Sequence, residues 1–600
     1  MSEPSSPAPS NGSTRGLGWR LINVALAALI ALIALVVYYL PALAGRPLSD
    51  ESEARVAVVT REMLQSGDWV LPKISGQPSV KEPPLSCWLA ALTCKVFVRD
   101  YNNTAAMTYA VQVPPALCAA LAVFIVALIG CSLFGRAGGL SAGLILAASR
   151  IVALFAQSGY GDSTLMLACA ASAGGIALLL TEKPRLSAAL FTGFALGAGI
   201  LTKGLVPLLL LVLPVAIELL LRHKILAWRH AVYLALALVI ALLVAAPWFI
   251  LVERKNPGAI REMAAEASDT VYRSSETAPR ATELQAEQSS RNRGVFYYLY
   301  RGALGFMPWT PLAALALLVV LWPAYGSNAT PSESASASRF FALYAGIGFL
   351  ILLMVQRKQP QYLLTLWPAL SLAAAGLFAR FNTPGGVREE RMGWALFALS
   401  IAGAIFICAA PLWPSLISAL DKSGFVATRA REFAAINWLA IPAALVFFVV
   451  NYLCARFWVH ARSVIAVSLY AALAAAFLVY SALRYSTRTQ RDSTWASIQQ
   501  LQREMATQSP SIRLFAAEPD RTLAIFQTGK PFRELAEFVK PAPEDSPATI
   551  LIRGKQTHLL GVDLSNAARE FDDYMLIELP AGSPLEAKLR EALAHATPRP

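Results

Sequence analysis

The sequence predicts a polytopic α-helical membrane protein with about thirteen transmembrane helices, followed by a small α/β domain at the C-terminal end. Three observations carry this. Of 600 residues, 56% are hydrophobic and 15% charged, against about 25% charged in an ordinary soluble domain. Apolar runs of about 20 residues, enough to cross a bilayer, recur along the chain. Lys and Arg concentrate on alternate connections between those runs, so the net charge of +13 reads as loop placement rather than nucleic-acid binding. The mean hydropathy of +0.51 is too high to be hidden in one soluble core. Seven cysteines are scattered singly with no CxxC, which argues against a disulfide framework or a zinc site and for apolar packing.

Residues 1–20, rich in Ser, Pro and Gly, read as a disordered cytoplasmic tail. The first span covers 21–43. Ala42-Leu43-Ala44 before Gly45 imitates a signal-peptidase site, but the apolar run exceeds the about 7–15 residues of a signal core, so an uncleaved span is expected. Further spans fall at 109–133, 137–156, 163–181, 186–201, 204–221, 231–252, 303–323, 340–355, 361–379, 393–413, 433–455 and 463–483. With the N-terminus inside, Arg136, Lys183, Arg185, Arg222, Lys224, Arg229, Arg380, Arg388, Arg391, Arg456 and Arg462 fall on inner connections, as the positive-inside rule requires. The transmembrane domain is thus 21–484. Long segments at 44–108 and 253–302, and the domain at 485–600, lie on the outer side. The Ser-rich stretch 326–338 reads as an inner linker between helix bundles. In the tail, Trp495 to Met505 has helical periodicity, and Ser511–Ala516 and Thr549–Arg553 read as strands.

The segment 44–108 is more than a linker. Asp50-Glu51-Ser52-Glu53-Ala54-Arg55 opens a helix, where acidic residues suit the positive end of the helix dipole. Val56, Val59, Met63 and Leu64 then repeat at helical spacing, which makes an amphipathic helix able to lie in the membrane surface. Gly67-Asp68-Trp69, Lys81-Glu82-Pro83-Pro84-Leu85 and a second, semi-apolar helix from Ser86 to Val98 follow. A carboxylate can act as general base on an attacking hydroxyl, and a nearby Arg can bind phosphate; composition alone favours a solvated helix start. Further charges sit at helix ends, where a charge in a span costs about 3 kcal/mol. They are Asp162 after Ser158-Gly159-Tyr160-Gly161, Lys203 in Leu201-Thr202-Lys203-Gly204, and Arg357 and Lys358 before Pro360, Gln361 and Tyr362. Snorkelling or capping would explain any one of them. All map to outer ends in this topology, and that convergence points to a site.

Arg61 to Trp69, the Pro-Pro-Leu run and Trp88 resemble the first outer loop of the aminoarabinose lipid A transferases and the wider protein-mannosyltransferase-like glycosyltransferases. Asp162, Leu-Thr-Lys-Gly (201–204), Pro247-Trp248-Phe249, Tyr297-Tyr298, Gly305 to Trp309 and Lys358 to Tyr362 follow in the family's order. The resemblance implies a C-type (GT-C) fold and transfer of a sugar from a polyprenyl-phosphate donor to lipid A, another glycolipid or a protein. It implies a first-loop carboxylate as base: Glu53 first, then Asp50, with Glu51 the third candidate. It implies Arg55, Lys81, Glu82, Asp162, Lys203, Lys358 and Tyr362 as donor-phosphate or substrate contacts. Two departures stand out. The family's Asp-Glu-x-Arg is here Ser52-Glu53-Ala54-Arg55, and its Glu-Lys-Pro is here the exchanged Lys81-Glu82-Pro83. Glu53 and Glu82 could together hold a divalent cation, but two carboxylates do not specify a metal site and no cofactor is assigned. Other classes fit less well. A transporter or flippase should show internal symmetry between halves and does not need the large first loop. A catalytically silent relative that binds a lipid-linked glycan or scaffolds envelope enzymes is kept open by Ser52.

Overall fold

The computed structural model describes residues 12–40, 51–221, 228–272, 296–306, 309–321, 333–355, 358–380, 513–516, 520–528, 530–538, 547–553, 568–571, 574–580 and 583–596, together with Leu43, Arg46 and Leu48. The expected spans 393–413, 433–455 and 463–483, the helix Trp495–Met505, Asp50 and Arg357 lie outside these residues.

The N-terminal helix α1 runs Gly12–Ile33 and continues as a π-helical turn over Ala34–Tyr39. It thus begins eight residues earlier than the tail boundary expected at residue 20, because an apolar segment, once helical, propagates at little cost into neighbours that have no strong stop signal. The first loop holds α2 (Glu51–Ser66), a two-residue hairpin β1 (Lys73–Ile74) and β2 (Gln77–Pro78), and α3 (Leu85–Phe97). Next come α4 (Thr104–Ala147), α5 (Arg150–Ala156), α6 (Asp162–Leu179), α7 (Leu186–Lys203), α8 (Val206–Leu221) and α9 (Trp228–Lys255). The second long loop contributes α10 (Ala259–Tyr272) and α11 (Phe296–Gly305); α12 (Thr310–Leu321), α13 (Glu333–Met354), a 3-10 segment Pro360–Thr365 and α14 (Trp367–Arg380) complete the described helices of the bundle. Among the described residues, α4, α6, α7, α9 and α13 are long and apolar enough to cross a membrane, and Arg20–Val36, Val206–Leu221 and Trp367–Leu377 are shorter apolar stretches. Helix α13 starts at Glu333, inside the stretch read as linker; Glu333 accepts the Glu182 backbone N–H at 2.8 Å and so ties the helix start to the α6–α7 connection.

Small residues let these helices meet. Gly135, at φ +77° and ψ 174°, breaks α4 into two arms. The arms pack against each other: a Cβ at Gly139 would stand 2.1 Å from the Cys131 backbone nitrogen, and one at Gly143 2.9 Å from the Ala127 Cβ. The span expected at 109–133 therefore forms a helical hairpin with the first part, to Ala147, of the one expected at 137–156, whose remainder is the separate short helix α5. Gly193 and Gly197 of α7 similarly receive Ile240 and Val244 of α9. This is how helices associate in lipid, where apolar side chains gain nothing by hiding from solvent. A buried Glu218 on α8 takes both bonds of the Arg339 guanidinium on α13, at 2.9 and 3.0 Å.

Beyond the bundle, β3 (Arg513–Ala516), α15 (Asp520–Thr528), β4 (Arg533–Glu534), α16 (Leu535–Phe538), β5 (Ala548–Arg553), β6 (Ala568–Phe571), β7 (Tyr574–Leu579) and α17 (Pro584–Ala596) form a mixed α/β unit. Its sheet has the order β4-β3-β5-β7-β6, with β3 parallel to β4 and β5 and the remaining pairs antiparallel. Both strands read from sequence are present. The apolar face of α2 is not spread on lipid, as its amphipathic pattern suggested. Val56, Val59 and Met63 share a buried cluster with Ile74, Cys94, Ala524, Ile525 and Phe526, so α2 packs against α3 and α15. The Arg61 guanidinium donates to the Ile525 and Phe526 carbonyls at 2.9 and 3.1 Å, near the C-terminal end of α15, where a cation also suits the helix dipole.

Substituting Gly139→Val should overpack the α4 hairpin by about 1–3 kcal/mol or more. The expected result is a lower unfolding temperature and lower yield of monodisperse protein in detergent, measured by thermal scanning and size exclusion, with Gly18→Val (nothing lies within 4 Å of that Cβ) as the silent control.

Candidate active site

Four charged side chains from four segments meet where α2, α6, α7 and the loop before α3 come together. Arg55 of α2 donates to Glu82 at 2.9 Å, and the other Glu82 oxygen lies 4.0 Å from the Lys203 ammonium. Lys203 in turn pairs with Asp162 at 2.7 Å and stands 4.9 Å from the centre of the Tyr362 ring. Each partner is delivered by local structure. Asp162 occupies the first turn of α6, where a carboxylate is favoured by the helix dipole. Lys203 ends α7 because Gly204 takes φ +63°, a conformation that stops the helix at little cost only with glycine. The start of α3, which follows the Glu82 loop, packs closely on the turn before Asp162 because residue 161 is glycine: a Cβ there would stand 2.2 Å from the Ser86 hydroxyl oxygen.

Burial alone would push the Glu82 carboxyl up, but the charges of Arg55 and Lys203 outweigh it and hold its pKa down at about 2. The cluster sums to zero charge. Exposure is uneven: the Glu82 side chain is 41% exposed, Lys203 24%, Arg55 16% and Asp162 6%.

Glu53 lies elsewhere. It is fully buried, and one carboxylate oxygen accepts from Arg46 at 3.1 Å and from the Gly159 backbone N–H at 3.0 Å. Arg46 also donates to the Gln157 carbonyl. Glu53 and Arg55 are two positions apart on one helix and so point to different sides of it. Glu51 opens the same helix one turn before Arg55. Sequence reasoning missed Arg46; nothing in the run around Gly45 marks it.

The remaining sequence-predicted residues divide. Tyr362 joins the cluster through Lys203. Lys358 is buried and donates to the Val355 carbonyl at 2.8 Å. Lys81 is exposed beside Glu82. A cation shared between Glu53 and Glu82 does not fit the arrangement, since Glu53 is bonded to Arg46 and Gly159 while Glu82 faces Arg55 and Lys203. Among the described residues, no three His, Cys, Asp or Glu side chains are grouped to hold a metal.

Several motif residues hold the loops around the cluster. Asp68 accepts the Val70 and Leu71 backbone N–H groups and pairs with Lys255 at 2.8 Å. Burial works against its ionisation, yet these partners and Lys73 hold its pKa below the usual carboxylate range. The indoles of Trp88 and Trp248 donate to the carbonyls of Trp69 and Val70. The Tyr298 hydroxyl accepts the Gln359 N–H, and Phe306 stacks on Trp367 at 4.8 Å.

Residues 81–251 match the family described as dolichyl-phosphate-mannose-protein mannosyltransferase. The chain is similar to the undecaprenyl phosphate-alpha-4-amino-4-deoxy-L-arabinose arabinosyl transferase of Yersinia enterocolitica, with 28% identity over 403 residues, 65% of each chain. A Pseudomonas aeruginosa protein of the same name is 27% identical over 384 residues, 62% of this chain and 64% of its own length. The matches thus span just under two thirds of these relatives. Among solved structures, ArnT from Cupriavidus metallidurans bound to undecaprenyl phosphate aligns with a TM-score of 0.69 and 20% identity, over 94% of this chain and 98% of that one. These similarities run in the direction of the resemblance carried by the motifs, and the fold is the one shared with that structure.

Two outcomes follow from the site's electrostatics. Glu53→Ala leaves Arg46 buried without its carboxylate and should cost about 3–5 kcal/mol of stability, read as a fall in unfolding temperature; Glu53→Gln, which still accepts a hydrogen bond, should cost less. Because the folded-state pKa of Glu82 is lowered from 4.5 to about 2, its contribution to stability is fully present above pH 4.5 and is lost as pH falls through about 2. Wild type should therefore lose stability relative to Glu82→Gln across that window, in unfolding measured as a function of pH.

Proposed function

We propose that the chain is a glycosyltransferase that moves a sugar from a polyprenyl-phosphate donor to an acceptor hydroxyl on lipid A, another glycolipid or a protein, at the periplasmic face of a bacterial inner membrane. The observation that carries this reading is the convergence of Arg55, Lys203 and Tyr362 from three separate elements at the ends of membrane helices. The names of the sequence relatives and the fold shared with the undecaprenyl-phosphate complex support it.

In this reading the acceptor oxygen attacks the anomeric carbon of the sugar. The bond from that carbon to the phosphate oxygen breaks, its electron pair leaves with the lipid phosphate, and the acceptor's proton passes to a carboxylate. Arg55 and Lys203 stabilise the charge that develops on the departing phosphate, which is the largest electrostatic demand of the step. Arg55 can offer a phosphate two parallel N–H groups, while Lys203 acts as a point charge. Tyr362 lies against the ammonium and restricts where it can go. The register of α2 favours a supporting role for Glu53: through Gly159 it holds the turn that presents Asp162. Among the described residues, Asp162 and Glu82 are the carboxylates next to the cations; Glu82 stands between them, where the phosphate is placed in this reading, so the proton is assigned to Asp162. The domain that packs on α2 is suited to positioning the acceptor.

The test is turnover by purified protein supplied with a panel of polyprenyl-phosphate sugars and an envelope lipid extract, with products read by mass spectrometry. Lys203→Ala should lower kcat/KM by about 100-fold or more, the scale seen when one group stabilising a developing anion is removed. Asp162→Asn should lower kcat while donor binding is retained. No turnover with any donor, despite saturable donor binding, would replace this reading with that of a silent glycolipid-binding relative, which the serine at position 52 also suits.

A further inference from the structure

We infer that Glu82 is an exchangeable internal anion: it occupies the space between Arg55 and Lys203 that a donor phosphate needs, and so sets how tightly the lipid phosphate is held. The inference rests on the donor-phosphate reading given above.

The geometry distinguishes Glu82 from an ordinary structural counter-ion. Its two oxygens are divided between the two cations, one 2.9 Å from Arg55 and the other 4.0 Å from Lys203. Two oxygens on one centre bridging a guanidinium and an ammonium is the arrangement a phosphate group would adopt. Lys203 already has a closer partner in Asp162, at 2.7 Å and almost fully buried, so its charge does not depend on Glu82 for neutralisation. Glu82 is also the most exposed member of the cluster and sits on an irregular segment between β2 and α3. Its carboxylate can leave by side-chain rotation into water without unwinding a helix, while Pro83 and Pro84 keep the backbone in place. The sequence points the same way, since an acid stands here where the resemblance expects the lysine of Glu-Lys-Pro.

The consequence is graded by charge. The donor is a phosphodiester with one negative charge. The lipid monophosphate left after transfer carries up to two and meets stronger repulsion from Glu82. The carboxylate therefore weakens product binding more than donor binding and returns to the cations as the product departs.

The experiment is titration of the full-length protein in lipid nanodiscs with undecaprenyl monophosphate, comparing wild type, Glu82→Gln and Glu82→Asp. Thermal unfolding without lipid checks that each variant is folded. Removing a like charge beside a bound anion should tighten binding at least about tenfold in Glu82→Gln. Glu82→Asp, whose shorter side chain withdraws from Lys203, should fall between that variant and wild type. Equal or weaker binding by Glu82→Gln, with saturable binding by wild type, overturns the inference and leaves the donor reading intact. Absence of saturable binding in all three proteins overturns the donor reading itself and the inference with it.

Discussion

A full positive charge at the last turn of an apolar helix is tolerable only with a partner, and the Asp162 carboxylate 2.7 Å from Lys203 is that partner. The pair joins the start of α6 to the end of α7, two helices that otherwise meet through small residues such as Gly175 against Thr192. Breaking a largely buried ion pair is costlier than never having made it, so this contact fixes where the two helix ends lie relative to each other. The loop carrying Glu82, the turn 158–161 and the Tyr362 segment are all placed against that fixed point.

Helix α2 distributes three tasks by its register. Glu53 turns toward Arg46 and the Gly159 amide, inside the bundle. Arg55, two positions on, faces the charged cluster. Arg61 reaches the carbonyls of Ile525 and Phe526 in the C-terminal unit. Because neighbouring positions on a helix point in different directions, one rigid element touches the bundle, the cluster and the tail domain without any of these contacts competing. A shift of α2 along its axis would disturb all three together, so the C-terminal unit is mechanically connected to the place where Arg55 sits.

The sequence made the coarse architecture legible because the bilayer imposes it: run length and the placement of Lys and Arg locate helices without any knowledge of their packing. It also made Asp162 and Lys203 legible, since charges at the ends of apolar runs are expensive enough to stand out, whereas Arg55, Glu82 and Tyr362 entered through the motifs of the resemblance. Pairings were not legible. Nothing in the run Ala44-Gly45-Arg46 announces a partner for Glu53, and that partnership arises only when α1 and the 157–159 turn are brought together. The amphipathic pattern of α2 was read correctly as a helix and wrongly as a membrane-surface one, because an apolar stripe does not specify whether lipid or protein covers it. Gly-Asp-Trp and Pro-Trp-Phe, which carry part of the resemblance, serve as anchors, with Asp68 capping its own loop and Trp248 tying that loop to α9.

The two departures from the family pattern are best understood as one change. Positions 51, 52 and 55 share a face of α2, so an acid at 52 would stand beside Arg55, one turn earlier on the same rigid helix. Here that position is serine, and the acid beside Arg55 comes instead from Glu82 on the loop before α3. Arg55 thus has a carboxylate partner on an irregular segment. A carboxylate fixed on a helix shades the guanidinium permanently, whereas one on a solvent-accessible loop side chain can withdraw when another anion arrives. The Glu82 carboxylate, 41% exposed on its loop, is of the second kind.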